Sequence, residues 1–503
     1  MLQHLPILPI VIPLLSGIIM LFGFLNDYYK RLRIFGTVMS AIMVVIAAAL
    51  LYHVHYHGPQ VYALGGWEPP FGIALVADRL SVLMVLLTAI LTLATQLYGS
   101  SGEDKQGRFY HPLIMFQVMG ISGAFLTGDL FNLFVFFEVL LIASYALVIH
   151  GGGKQKTQAN VHYVSLNLAG SALFLFALGI LYGTFGTLNM ADMQQKAAFI
   201  RPEDIILAKT GGLLLLAVFG LKSAMLPLHF WLPKAYASAP MSVAALFAIM
   251  TKVGLYSLWR VHNGVFGVDA GELAYLIQPW LWPLALLTLA IGIVAVLSSQ
   301  TLRTLSANLV IVSVGSLLLM VALKTNLSTA AGLYYLVHST IAGAAMFLVA
   351  GMIINQRGKA EDRFVPARPV GQPVLLSGLF FVCAIALIGM PPLSGFIGKA
   401  FMMKAALEAG EAAWVWPPIL LASLASIIVL GRAGSTIFWR SKGDKPGPTL
   451  ATKREISSVS LLLIVLGLMV VFGGWLSDYA AMATLDLYAS IDIEASLETG
   501  AEQ

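Results

Sequence analysis

Long apolar runs separated by short polar segments set the pattern of this chain. A helix of about twenty apolar residues crosses a hydrocarbon layer of ~30 Å. Runs of that kind fall at residues 4–24, 34–52, 77–99, 111–127, 130–150, 163–184, 209–226, 242–260, 276–298, 307–323, 330–354, 374–390 with a continuation past a break to 407, 417–438 and 458–476. Only Thr127-Gly128-Asp129 separates the fourth run from the fifth, and the seventh runs into Pro227 and Pro233. Backbone polar groups must be satisfied internally in lipid, so such runs read as helices. The expectation is an all-α polytopic membrane protein with about fourteen transmembrane helices. The opening segment, MLQHLPILPIVIPLLSGIIMLFGFL, has no basic flank and no small-residue cleavage site, and reads as the first span rather than a signal peptide.

Composition narrows the function. Of 503 residues, 59% are hydrophobic and only 11% charged, against roughly 25% charged in soluble domains. No stretch is polar enough for an extramembrane catalytic domain. The lone cysteine, Cys383, excludes an internal disulfide and any cysteine-rich metal or iron–sulfur site. The net charge of +5 gives no reason to expect a nucleic-acid partner. Its placement is more informative. Lysines and arginines concentrate in the loops after odd-numbered spans, as in Lys30, Arg31 and Arg33, Lys154 and Lys156, and Arg357, Lys359, Arg363 and Arg368. The positive-inside rule puts those loops in the cytoplasm and both termini outside. The segment after 476 agrees: it reads as an acidic outer tail with Asp478, Asp486, Asp492, Glu494, Glu498 and Glu502.

Charges inside the runs carry the candidate chemistry. Glu138 lies in FNLFVFFEVLLIASYALVI, Lys222 in GGLLLLAVFGLKSAMLPL and Lys252 in AALFAIMTKVGLYSLW. A charge at mid-bilayer costs at least ~2.5–3.5 kcal/mol, so such residues face a bundle interior or wet cavity. Movement of protons or cations is the obvious use. The chain also repeats one feature: span 7 breaks at KSAMLPLHFWLP and span 12 at MPPLSGFIGK, each joining prolines to a lysine at membrane depth. Each break is the fourth member of a five-helix set, spans 4–8 and spans 9–13. An odd number of helices gives the two sets inverted topology, with a transport route expected at the midplane. The organisation is then 1–110 for helices 1–3, 111–260 for the first repeat, 276–438 for the second, and 439–503 for helix 14 and the outer tail.

The run FGLKSAMLPLHFWLPKAYASAPMSVAALFAIMTKVGLYSLWR, with TGDLFNLFVFFEVLLIASYALV before it, resembles the proton-translocation module of antiporter-like subunits. These occur in respiratory complex I, membrane-bound hydrogenases and Mrp-type multisubunit cation/proton antiporters. ALGGWEPPFGIALVADRLSVLMVLLTAIL, GMPPLSGFIGK and the lack of a long amphipathic C-terminal helix make the chain look most like the D subunit of an Mrp antiporter. Tyr236 stands in KAYASAP where complex I relatives often carry histidine. The resemblance implies a component of a Na⁺/proton antiporter in a bacterial cytoplasmic (inner) membrane. Its partners would be other hydrophobic subunits, lipid, protons and Na⁺, with no cofactor. A proton-pumping subunit of complex I or a hydrogenase is the alternative.

Under that resemblance Glu138 and Lys222 look like the family's paired glutamate and lysine on helices 5 and 7. Burial disfavours either charge and proximity of opposite charges favours both, so an ion pair that opens and closes is a proton switch; a static buried pair is the structural alternative. Lys252 would take the proton from Lys222 through water or His229, and sits too deep to snorkel. His229 reads equally as a relay or as a structural histidine at the cytoplasmic edge, and His338 as a relay to the second half or a hydrogen-bonded core histidine. Lys399 matches the family's ionisable residue on the broken twelfth helix, at the exit. Lys404 reads as an interface lysine and Asp129 as a helix N-cap. His53, His55 and His57 in HVHYH would share one side of a strand, conceivably for a metal, but no cysteine or carboxylate lies nearby and a solvated loop is favoured. No Gly-rich phosphate loop, nucleophile elbow or HExxH motif is present, so an enzyme acting on a bound small molecule is not expected. These helices hold no oxygen-rich cluster for a hard cation, which points the cation route toward another subunit.

Overall fold

The computed structural model describes residues 2–22, 28–443 and 446–489. The N-terminal part holds a 3₁₀ turn, Leu2–Ile7, then helices α1 (Leu8–Phe22), α2 (Tyr28–His57) and α3 (Arg79–Gly99). Between α2 and α3 the chain departs from the all-α expectation. Strands β1 (Gln60–Ala63) and β2 (Ala74–Ala77) pair antiparallel, Gln60 opposite Ala77. The cause is local: Gly65 and Gly66 adopt positive φ, and Pro69 and Pro70 remove two donors, so a helix cannot continue.

The next set comprises α4 (Tyr110–Leu126), α5 (Leu130–Val148), α6 (Lys154–Phe185), the short α7 (Met190–Ala197), α8 (Ile205–Ser223), α9 (Trp231–Ser238), α10 (Met241–Phe247) and α11 (Met250–Leu258). A π-helical turn, Trp259–Val265, extends α11. The second set comprises α12 (Gln278–Ser298), α13 (Leu302–Leu323), α14 (Asn326–Arg357), α15 (Pro373–Ile388), α16 (Ser394–Glu408) and α17 (Ala412–Gly434). The helices α18 (Lys453–Val471) and α19 (Gly473–Tyr488) follow.

Among the described residues, twelve helical segments are long and apolar enough to cross a membrane. The helices α4 and α15 are apolar but shorter; they occupy the expected fourth and twelfth runs. Burial separates two kinds of helix. The apolar stretches of Met241–Val265 and Leu302–Leu323 are wholly buried within the chain, and that of Asn326–Ala360 nearly so. The helices around them turn large apolar side chains outward, as with Ile142, Phe176, Leu287, Leu421 and Ile464. An apolar exterior around a buried helical centre is what lipid as solvent requires.

Both expected breaks are present. The helix α8 stops at Ser223 because Ala224 takes left-handed backbone (φ 60, ψ 42), and Pro227 cannot donate to a further turn. The helix α15 stops at Gly389 in the same region (φ 80, ψ 44), and α16 starts at Ser394. A third interruption was not legible. The expected span 242–260 is divided between α10 and α11, where Ile249 and Lys252 donate to the carbonyls three residues back.

Two other expectations need correction. The region after 476 is not all tail: α19 packs on α3 and α14, and Arg79 donates to Asp486 at 2.7 Å. Asp492, Glu494, Glu498 and Glu502 lie outside the described residues. His53, His55 and His57 are on neither a strand nor a loop but in the last turn of α2. There His53 stacks on His57 with centroids 4.3 Å apart, while His55 stacks on Tyr479. Asp129 caps α5 as expected, accepting from Asn132 N at 2.8 Å. Lys404 is exposed and lies 3.7 Å from Glu408.

Candidate functional site

Glu138 projects from the middle of α5 and is half-buried in this chain. Lys222 projects from the last turn of α8 and is buried. The end of that helix is a favourable place for a cation, since a helix C-terminus carries partial negative charge. The expected pair is not closed: no ion pair within 4.0 Å joins the two among the described residues. Both are held instead by α6. Lys222 Nζ donates to Asn167 Oδ1 at 3.2 Å, and its ammonium lies 5.8 Å from the centroid of the Phe137 ring. Ser171, one turn beyond Asn167, shares its hydroxyl proton between Glu138, in a short contact, and the Asn167 carbonyl at 3.0 Å. Neither Asn167 nor Ser171 stood out in the sequence, because a neutral polar residue in an apolar helix carries no charge signal.

Lys252 opens α11 and is fully buried. Its partner is Ser313 Oγ of α13, at 3.0 Å, which ties α11 to α13. The helix α11 comes close to α8 through Gly254, where an added Cβ would lie 2.7 Å from Ser223 N. Lys222 and Lys252 therefore sit on either side of one tight helix crossing. His229, in the segment between α8 and α9, is half-buried beside Phe230 and makes no hydrogen bond with either lysine; its shielded Nδ1 has no partner.

His338, on α14, is buried at the second break. Its Nε2 lies 3.1 Å from the Ala386 carbonyl and its Nδ1 2.8 Å from Ser394 Oγ. A carbonyl only accepts, so Nε2 carries the proton and Nδ1 accepts from the serine. The imidazole thus links the end of α15 to the start of α16. Lys399 Nζ donates to the Ile388 carbonyl and to Ser423 Oγ, each at 2.7 Å. A broken helix leaves carbonyls short of helical donors; Lys399 takes that of Ile388, while His338 shares that of Ala386 with the Gly389 N–H. At the first break Trp231 Nε1 takes the Leu221 carbonyl at 3.2 Å, and Thr288 Oγ1 receives Leu226 N at 2.9 Å. Tyr236 is fully buried and donates to the Phe247 carbonyl at 2.6 Å, at the end of α10.

The five principal residues thus fall into two local groups, Glu138 and Lys222 through α6 and His338 and Lys399 through the second break, with Lys252 held separately by Ser313. Each has a neutral partner in place of a fixed counter-ion. No group of three or more His, Cys, Asp or Glu side chains suited to a metal occurs among the described residues.

A family model described as "NADH:quinone oxidoreductase/Mrp antiporter, TM" matches residues 127–428. The D subunit of the Na(+)/H(+) antiporter of Bacillus subtilis (strain 168) is 39% identical over 481 residues, covering 95% of this chain and 96% of that one. The D subunit of a probable K(+)/H(+) antiporter of Rhizobium meliloti (strain 1021) is 40% identical over 497 residues, covering 92% and 91%. Among solved structures, a chain of the Mrp complex from Dietzia sp. DQ12-45-1b superposes with a TM-score of 0.87, at 25% identity, over 99% of each chain. A chain of respiratory complex I from Thermus thermophilus with bound NADH shares the fold, with a TM-score of 0.80 at 24% identity over 97% of this chain and 100% of that one. This multi-pass chain belongs to the family of membrane subunits common to NADH:quinone oxidoreductases and Mrp antiporters.

Proposed function

We propose that this chain is the proton-translocating subunit of a multisubunit monovalent cation/proton antiporter, and that proton movement through it drives Na⁺ efflux and pH homeostasis. The observation that carries this reading is the series of titratable side chains inside the membrane helices, each held by a hydroxyl, amide or carbonyl. A permanent ion pair would trap its proton; a neutral partner leaves the group free to change charge. Relatives named as D subunits of Na⁺/H⁺ and K⁺/H⁺ antiporters, similar along nearly the whole chain, support it.

In this reading Glu138 sets the charge state of Lys222, Lys222 releases a proton, Lys252 and His338 relay it, and Lys399 opens to one side. His229 is at most an entry group from the cytoplasmic edge. The path runs along the membrane, from the first inverted five-helix repeat into the second, before it crosses. The chain spans an inner membrane about fourteen times with both termini outside. Glu138 is partly exposed in the isolated chain, and a carboxylate facing lipid is costly, so another hydrophobic subunit covers it in the complex. The cation crosses with such a partner, since no cluster of acidic or histidine side chains suited to a metal ion occurs among the described residues.

The test uses everted membrane vesicles containing the assembled complex, with respiration blocked and a pH gradient imposed. Addition of Na⁺ is expected to collapse the gradient, and K⁺ to do so less. Absence of any cation response would overturn antiport in favour of a pump driven by redox chemistry.

A further inference from the structure

Among the described residues, Asn167 is the side chain that accepts the Lys222 ammonium hydrogen bond, and it is 1% exposed. Its orientation is determined. The Nδ2 group donates to the Tyr163 carbonyl at 2.9 Å, so Oδ1 faces the lysine. One turn along α6, the single Ser171 hydroxyl proton is shared between two acceptors, Glu138 and the Asn167 backbone carbonyl. The two halves of the proposed switch therefore do not touch each other. They touch consecutive turns of one helix.

We infer that Asn167 is a positioning residue that holds protonated Lys222 in the open state of the switch, with α6 as the element coupling it to Glu138 through Ser171. An amide oxygen solvates an ammonium without offering a charge that would retain its proton. When Ser171 releases Glu138, the carboxylate competes with Asn167 for the lysine and the pair closes. When Ser171 recaptures Glu138, Lys222 returns to the amide and can pass its proton on. Other titratable groups on the elements around α8 are spoken for. Tyr163 of α6 shares a hydrogen bond with Ser144, Lys252 of α11 donates to Ser313, and His262 after α11 bonds the Gly212 carbonyl well before Lys222 on α8. Tyr145 on α5 stacks edge-on against Tyr163. Tyr256 of α11 donates to the Phe125 carbonyl and Glu272 faces Lys209, which leaves Glu138 as the carboxylate to answer Lys222. The inference rests on the proposed role of Lys222 in the proton path.

The experiment compares wild type, Asn167→Asp, Asn167→Leu and Lys222→Ala in everted vesicles at matched levels of assembled complex, reading the initial rate of Na⁺-triggered gradient collapse as a function of pH. Asn167→Asp gives Lys222 a fixed counter-charge. Its rate–pH profile is expected to move by about one unit toward alkaline pH, the change that tenfold tighter proton retention produces. Asn167→Leu has similar bulk but no acceptor, and is expected to lose at least about tenfold in rate, the worth of one hydrogen bond to a charged group. If Asn167→Asp fails to assemble, the leucine variant decides. Profiles and rates in both variants that overlay wild type, while Lys222→Ala is inactive, would overturn the role of Asn167 and leave the proton path standing. Wild-type transport in Lys222→Ala would overturn both.

Discussion

In the first broken helix Lys222 stands before the break and donates to a side chain, Asn167 of α6. In the second, Lys399 stands after the break and donates to the backbone carbonyl of Ile388 as well as to Ser423. A backbone carbonyl at a helix end is a fixed partner, since the break that created it also fixes its place. A side-chain amide shares its lysine with any carboxylate that approaches. Similar local backbone, left-handed at Ala224 and at Gly389, thus serves different ends. On the proposed reading, the first half exchanges partners and the second presents a lysine in a set position. His338 reinforces the second by joining α15 to α16.

The largest effect is expected at Lys222. Arginine keeps the charge but does not give up its proton, so Lys222→Arg should lower cation-driven transport by about 100-fold or more, the range for loss of a positioned proton-transfer group. Retained transport would show that the first half needs a fixed cation, not a switch. A smaller effect is expected at Ser423. Removing one hydroxyl costs about 1 kcal/mol, and Lys399 keeps the Ile388 carbonyl, so Ser423→Ala should slow transport only a few-fold. A loss as deep as that of Asn167→Leu would erase the difference between the halves.

The two break residues sharpen the comparison in stability. Gly389→Ala places a Cβ 2.8 Å from Lys399 Cδ at positive φ, and left-handed backbone alone costs roughly 1–2 kcal/mol. The assembled complex should melt earlier, measured by thermal denaturation in detergent. Ala224→Gly relieves the same strain and should leave melting unchanged or raised. The reverse order would mean that packing around Ala224, not its backbone, fixes the first break.

A final, still smaller contrast lies away from both breaks. Asp104, in the loop between α3 and α4, is buried, which opposes its charge. Hydrogen bonds from Arg33 at 2.6 Å and His111 at 3.2 Å outweigh that and hold its carboxyl at about 2. A carboxyl depressed on folding adds stability that is complete above its unfolded range near ~3.9 and is lost as pH falls through the folded value. Asp104→Asn should therefore lower the melting temperature equally at roughly pH 6 and pH 8. A difference that grows between those pH values would assign the effect to another group.

Much of the architecture was legible because lipid imposes one length scale and one backbone solution on every span. The breaks were legible because Pro227 and Pro392 sit beside lysines in otherwise apolar runs. The interruption before Lys252 was not: AALFAIMTK has neither Pro nor Gly, and only tertiary packing shortens its hydrogen bonds. The helix α19 was hidden because Asp478 and Asp486 make its sequence read as polar tail, whereas Asp486 pairs with Arg79. The hairpin before α3 was hidden by its strands of only four residues. Glu138 and Lys222 were legible as charges in hydrocarbon. Their arrangement was not, because it depends on the depth at which Asn167 and Ser171 project from α6, and hydropathy does not register a hydroxyl or an amide among so many apolar neighbours.

The most direct measurement is Na⁺-triggered collapse of an imposed pH gradient in everted vesicles carrying the whole complex, comparing wild type with Lys222→Ala at matched complex levels. The account predicts rapid collapse in wild type and none above background in the variant. Equal collapse in both would contradict it, and would make the row of buried titratable groups a feature of helix packing.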